Sequence, residues 1–404
     1  MAVSLIFALL MLLTALAFHQ LQRDTLHPAV VFPFVWGIII IMISLMEPFG
    51  YIQISLGAFL VFLLGNIFFV VGTFFGGKRF ISQNKLSQYN LNFNRIIWFC
   101  IALHAVMLPL TWVEVSQITD GADGLFASAY RLRVASVSGE EKVGVLVGNY
   151  LLIGLFFIPA LMIGWMQKNV SGLILVVLSL PWVFLNILVG GRSSLIVLVF
   201  ASIYVYISFK GKISIKAITG FGVAIVSVLI VGNLLVGKIE AGIEDGFLAI
   251  FQQSAKGFFD YLLQGPILFS EYYENPNLID PTWDALIFQC HFLEKFNLCF
   301  LPPLHQEFMI FSSNGDVGNV YSVFFSIYPK YGWLGVVLIT FAYGFWASFH
   351  HVRRGRSLFH LLMGGFIFSA ILLSVFSDTF GPSIYFFVKI FLISTVASFA
   401  FKKA

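Results

Sequence analysis

Apolar segments of near-bilayer length recur along almost the whole chain, and they restrict it more than any other feature. Twenty helical residues rise about 30 Å, the thickness of a bilayer's hydrocarbon core. Such segments fall at 2–18, 29–46, 54–76, 96–113, 146–166, 171–188, 194–208, 217–235, 332–350, 358–376 and 382–401. Backbone amides inside lipid must be satisfied within their own segment, so these segments are expected to be helices. Only 10% of the residues are charged, against about 25% in a soluble domain. The chain therefore reads as an all-α polytopic membrane protein of about eleven transmembrane helices, with its ends on opposite sides. Met1 to Phe18 has no early basic residue and is read as a retained first span rather than a cleaved leader.

One long stretch interrupts the pattern. Residues 237–331 hold 11 of the 19 acidic residues and two of the three cysteines. The chain thus divides into an eight-span region 1–236, a large loop 237–331 and a three-span region 332–404. Within the loop, Phe247, Phe251, Phe258 and Leu262 share one helical face in the segment 246–263. That pattern predicts an amphipathic helix lying on the membrane surface. Cys290 and Cys299 lie nine residues apart; in an oxidising compartment a disulfide and two separate thiols are equally good readings.

Charge orients the spans. Loops 19–28, 77–95, 167–170, 209–216, 351–357 and 402–404 carry 14 of the 23 Lys and Arg residues and one acid, Asp24. By the positive-inside rule this set is cytoplasmic, which leaves the N-terminus and 237–331 outside and the C-terminus inside. No inner loop is long enough for a nucleotide-binding domain, and neither a phosphate-binding loop nor a dinucleotide fingerprint occurs. No basic face suggests nucleic acid, no His, Cys, Asp or Glu spacing suggests a metal, and no cofactor is implied. Chemistry at the outer face has no nucleotide pool to draw on, so an activated substrate would arrive attached to lipid.

Outer-side basic residues are the candidates for holding such a substrate. Arg131 and Arg133 lie in the loop 114–145, and Arg192 lies in the turn Gly190-Gly-Arg-Ser-Ser. Arginine stays charged and binds phosphate oxygens in pairs. Three such groups would hold a diphosphate and stabilise it as it leaves. Arg131 and Arg133 read equally well as interfacial residues with charged heads in the headgroup layer. Lys330 ends the long loop, and Lys389 sits within the last span, where a structural ion pair with Asp378 is as good a reading as a functional role. Many outer acids are available as a general base, and His305 and His291 are further candidates. Sequence does not select among them.

Three stretches resemble the O-antigen polymerases (Wzy-type oligosaccharide repeat unit polymerases). They are Gly190-Gly-Arg-Ser-Ser, Phe259-Asp-Tyr-Leu-Leu-Gln-Gly-Pro-Ile-Leu-Phe-Ser-Glu-Tyr-Tyr, and Gly318-Asn-Val-Tyr-Ser-Val-Phe-Phe-Ser-Ile-Tyr-Pro-Lys-Tyr-Gly-Trp-Leu-Gly. In the third, Lys330-Tyr331 stands where family members often have an acid. The resemblance implies a GT-C-like, metal-independent glycosyltransferase of the bacterial inner membrane. Its substrates would be undecaprenyl-pyrophosphate-linked oligosaccharide donor and acceptor, with membrane lipids around it and a chain-length regulator protein as a further partner. Arg192 matches its motif position; Arg131 and Arg133 match only as upstream outer arginines. Tyr321, Asn319, Lys330 and His305 are the remaining expected substrate contacts. An O-antigen ligase and a lipid-linked oligosaccharide flippase are the alternatives.

Overall fold

The computed structural model describes residues 2–77, 91–119, 127–128, 130–132, 144–189, 192–211, 219–220, 222–223, 246–282, 284–299 and 307–402. These residues are mostly helical. In chain order the long helices are α1 (Ala2–Gln22), α2 (Pro28–Met46), α3 (Leu56–Gly76), α4 (Phe93–Ile118), α5 (Val145–Met166), α6 (Gly172–Leu188) and α7 (Arg192–Lys210). They continue with α8 (Gly246–Glu274), the short α9 (Phe288–Leu293), α10 (Tyr328–Val352), α11 (Leu358–Leu373) and α12 (Ile384–Ala400). Seven helices among the described residues are long and apolar enough to cross a membrane, and α6, α11 and α12 are shorter apolar helices. The apolar segment 217–235 lies almost wholly outside the described residues. The chain is therefore a multi-pass membrane protein built from helices.

Start signals explain several boundaries. Ser55 and Ser171 accept from Ala58 N and Ile174 N, which caps α3 and α6. His27 caps α2 through Nδ1, and Pro28 follows at the first helical position. Proline also lies inside α2, α4, α5, α6 and α8, as membrane helices tolerate.

The chain forms two compact units, each made of separate stretches. The first comprises 1–84, 257–354 and 367–388; the second comprises 85–256, 355–366 and 389–404. Both run across the sequential division at 236 and 331.

The first unit is organised around α3 and α10. Lipid supplies no hydrophobic drive between two helices, so close packing must hold them. Small residues make that packing possible. A side-chain carbon on Gly72 or Gly76 would run into the backbone of Phe341 or Phe345, and one on Gly344 into that of Phe69. Gly72 and Gly76 form the small-xxx-small spacing of tightly crossing membrane helices. Aromatics fill the adjoining core: Phe32, Trp36, Phe62, Phe69, Phe269 and Phe324 are fully buried.

Helix direction then sorts the connections of this unit into two ends. At one end Asp24 Oδ2 accepts from Arg354 Nη2 at 2.6 Å and lies 3.0 Å from His351 Nε2. Arg353 reaches Phe349 O and Gly76 O at the same end. Burial works against the Asp24 charge, yet His351 and Arg354 hold its carboxyl well below the usual carboxylate range. At the other end Gly50 O accepts from Ser313 N, Tyr51 pairs with Ser312, and Tyr51 OH donates to Asp260 Oδ1 at 2.6 Å. A two-stranded hairpin, β1 (Met309–Ile310) with β2 (Val317–Gly318), lies there. The grouping matches the two loop sets distinguished by charge.

In the second unit, His104 of α4 joins three helices. Its Nδ1 is 2.6 Å from Tyr150 OH on α5, and its Nε2 is 2.9 Å from Leu178 O on α6. Glu114 Oε2 accepts from Val147 N, satisfying a free amide at the start of α5.

Two stability outcomes follow. Gly344→Ala should destabilise the protein by about 1–3 kcal/mol through overpacking against the Phe69 backbone. Gly148→Ala meets nothing and should stabilise its helix by up to about 1 kcal/mol; thermal unfolding in detergent reads both. Burial, reinforced by His351, pushes the His27 imidazole down to about 3. The unfolded chain takes that proton near pH 6.5, so stability falls as pH drops below 6.5, by up to about 1.4 kcal/mol per unit. His27→Asn keeps a capping acceptor and does not titrate, so its melting temperature should fall less steeply between pH 6.5 and 5.

Candidate functional site

The polar end of the first unit gathers most of the described part of the long loop. The expected surface helix 246–263 is the first part of α8, which continues to Glu274. From Leu263 to Ser270 every residue of α8 is buried. Its ring-bearing residues pack on those that lead into α10. Phe269 lies 6.3 Å from Phe324, Tyr272 5.1 Å from Phe325, and Tyr273 5.3 Å from Tyr328, centroid to centroid. The two long stretches that carry the family resemblance are therefore neighbours in space.

Two carboxylates are anchored at this end. Asp378 lies between α11 and α12 and is 9% exposed. Its Oδ2 accepts from Ser326 Oγ at 2.7 Å and Tyr343 OH at 2.8 Å. Its Oδ1 accepts from Phe380 N and Gly381 N. Burial pushes this carboxyl up, and the four hydrogen bonds pull against that shift. A carboxylate offers about four acceptor positions, so Asp378 is saturated. The structural partner that sequence offered for it, Lys389, instead donates to Asn149 Oδ1 at 3.1 Å.

The second carboxylate is Asp284, buried in the turn before α9. Its Oδ2 accepts from Lys330 Nζ at 2.6 Å; its Oδ1 accepts from Tyr331 OH at 2.9 Å and Leu286 N at 2.7 Å. Ala285 N donates to Ser326 O and ties this turn to the segment ahead of α10. Gly332 lets Lys330 and Tyr331 reach it. Its φ of 57° and ψ of −156° break α10 just after Tyr331, a conformation that only glycine adopts without strain. The Lys330 side chain is 61% exposed while that of Asp284 is 11% exposed, so the ion pair reaches from the protein interior to its surface.

The other expected contacts take varied places. Tyr321 is buried, stacks on Phe325 at 4.1 Å and donates its hydroxyl to Glu307 O at 3.0 Å. Burial, with Glu307 nearby, pushes its phenol far above the usual range. Tyr321 thus anchors the loop. Asn319 is half-buried beside it in sequence. His305 lies outside the described residues, as does Arg133. Cys290 and Cys299 form a disulfide.

Arg131 and Arg192 belong to the second unit. Arg131 is exposed and has helical backbone. Arg192 is the first residue of α7. Ser194 Oγ donates to Asn186 Oδ1 at 2.6 Å, which ties the start of α7 to the end of α6. The first turn of a helix leaves amide hydrogens without intrahelical acceptors and carries positive dipole charge.

Asp284 was the residue that sequence reasoning passed over. It is one acid among eleven in the loop, and its lysine partner lies 46 positions away. Among the described residues no group of three or more His, Cys, Asp or Glu could hold a metal ion. No protein-family model matches the chain, and neither a curated protein nor a solved structure matches it.

The disulfide gives a direct check. Alkylation of the denatured protein without reductant should label one thiol, Cys100, and with reductant three. Three labels without reductant would show the bond to be absent.

Proposed function

We propose that this protein is an O-antigen polymerase of the bacterial inner membrane, with its N-terminus in the periplasm and its C-terminus in the cytoplasm. It transfers an oligosaccharide from undecaprenyl pyrophosphate to a new lipid-linked repeat unit at the periplasmic face. Arg192 is the central diphosphate ligand, and Arg131 and Arg133 assist it. Their charge stabilises the diphosphate as the glycosidic bond to it breaks, with no proton transfer needed at that oxygen. Lys330, Asn319, Tyr321 and His305 belong to the side that receives the incoming unit.

The observation that carries this reading is the position of Arg192 at the first residue of α7. The motif arginine stands where a helix end favours an anion. Two further facts support it. Phe259–Tyr273 and Gly318–Gly335, the other stretches of the resemblance, pack together. The long loop contains a disulfide, which fits an oxidising compartment, while Arg353 and Arg354 lie at the opposite end of the first unit, where the positive-inside rule puts the cytoplasm.

The test is reconstitution of the purified protein in liposomes with purified lipid-linked repeat unit and no nucleotide. A ladder of longer glycans is expected. Arg192→Ala should insert normally and lose at least about 100-fold in chain elongation. A normal ladder from that variant would remove Arg192 from the mechanism.

A further inference from the structure

Attack by a sugar hydroxyl needs a group to accept its proton, and the loop holds many carboxylates that could in principle do so. Geometry separates the described ones. A base must be held in a fixed orientation, must keep an acceptor position for the incoming hydroxyl, and must be reachable. Asp378 fails on the second count, since all four of its positions are taken by Ser326, Tyr343, Phe380 and Gly381. Asp316 accepts from Ser312 Oγ at 2.7 Å within its own hairpin, and Asp260 accepts from Tyr51 OH at 2.6 Å; each hydroxyl ties its acid to a neighbouring loop segment. Glu274, Asp280, Glu294 and Glu307 are exposed, and none of their carboxylates is held by a hydrogen bond or ion pair among the described contacts.

Asp284 meets the first two conditions, and its partner Lys330 reaches the surface. Three donors from three residues hold it: Lys330, Tyr331 and Leu286. Among the described residues its Oδ2 carries only the Lys330 bond, which leaves one of about four acceptor positions open among them. That oxygen is the one beside the exposed ammonium. The exposed lysine stem runs from that oxygen to the surface.

We infer that Asp284 is the general base of the glycosyl transfer, with Lys330 and Tyr331 as its positioning residues. This rests on the polymerase reading above. The hydroxyl oxygen of the incoming sugar attacks C1 of the donor sugar. A C–O bond forms there, and the bond from C1 to the diphosphate oxygen breaks, its electron pair leaving with the lipid diphosphate. The hydroxyl proton passes to Asp284 Oδ2 and is then released to water. No oxidant, metal or nucleotide enters the balance.

The liposome assay with lipid-linked repeat unit tests it. Asp284→Asn keeps the size of the side chain and removes its basicity. Its kcat should fall at least about 100-fold while KM stays within about threefold of wild type. Asp284→Glu should keep measurable turnover. In Asp284→Ala, added formate should restore part of kcat, an outcome that a merely structural role would not give. A kcat for Asp284→Asn within about tenfold of wild type overturns the assignment. So does a loss of activity that comes with a lowered melting temperature and no formate rescue. Wild-type protein that makes no polymer would defeat the polymerase reading itself, whereas a failure confined to the variants bears on Asp284 alone.

Discussion

Helices α3 and α10 lie backbone against backbone because Gly72, Gly76 and Gly344 present no side chain between them. In a bilayer that contact replaces the hydrophobic force that assembles soluble helices. Dispersion and close fit must do the whole work, and both fall away steeply with distance. The rest of the first unit depends on this crossing. It brings the loop after α2 to the segment before α10 at one end, and the loop after α1 to the last turn of α10 at the other.

The two ends differ in chemistry for physical reasons. At the end that holds Asp24, a half-buried carboxylate is met by Arg354 and His351. This cluster fastens α1 and α2 to α10. The other end holds a mixture of hydroxyls, aromatic rings and two anchored carboxylates. Asp378 is enclosed by donors from its own turn and from Ser326 and Tyr343. Asp284 is held by the short turn Tyr328–Tyr331, which Gly332 separates from the remainder of α10. Asp378 is enclosed by four donors; Asp284 is paired with a lysine whose side chain reaches the surface.

Much of the architecture was legible in sequence because apolar length is a local property. The segments 29–46, 54–76, 146–166 and 171–188 became helices within a residue or two of those bounds. Arg192 stood out because glycines and a charge interrupt an apolar run. Other features were hidden. The end of α8 was placed too early, since Leu263 to Ser270 are buried by packing partners distant in sequence. Tyr321, an expected substrate contact, donates its hydroxyl to Glu307 O within the loop, a bond that no sequence pattern signals. The crossing glycines were present as the Gly72-Thr-Phe-Phe-Gly76 spacing, a signal that identifies a packing face without identifying its partner.

Sequence by itself determined that the chain lives in a membrane as helices, and which connections carry the basic charge. Both follow from the energy of placing single residues in lipid or in water, which needs no knowledge of neighbours. Only the tertiary structure decided which acids are enclosed and which keep an open position. Asp284 and Asp378 have the same side chain, yet their hydrogen-bond donors come from up to 52 residues away. A carboxylate's chemistry is set by the donors around it, and in this protein those donors are assembled by folding.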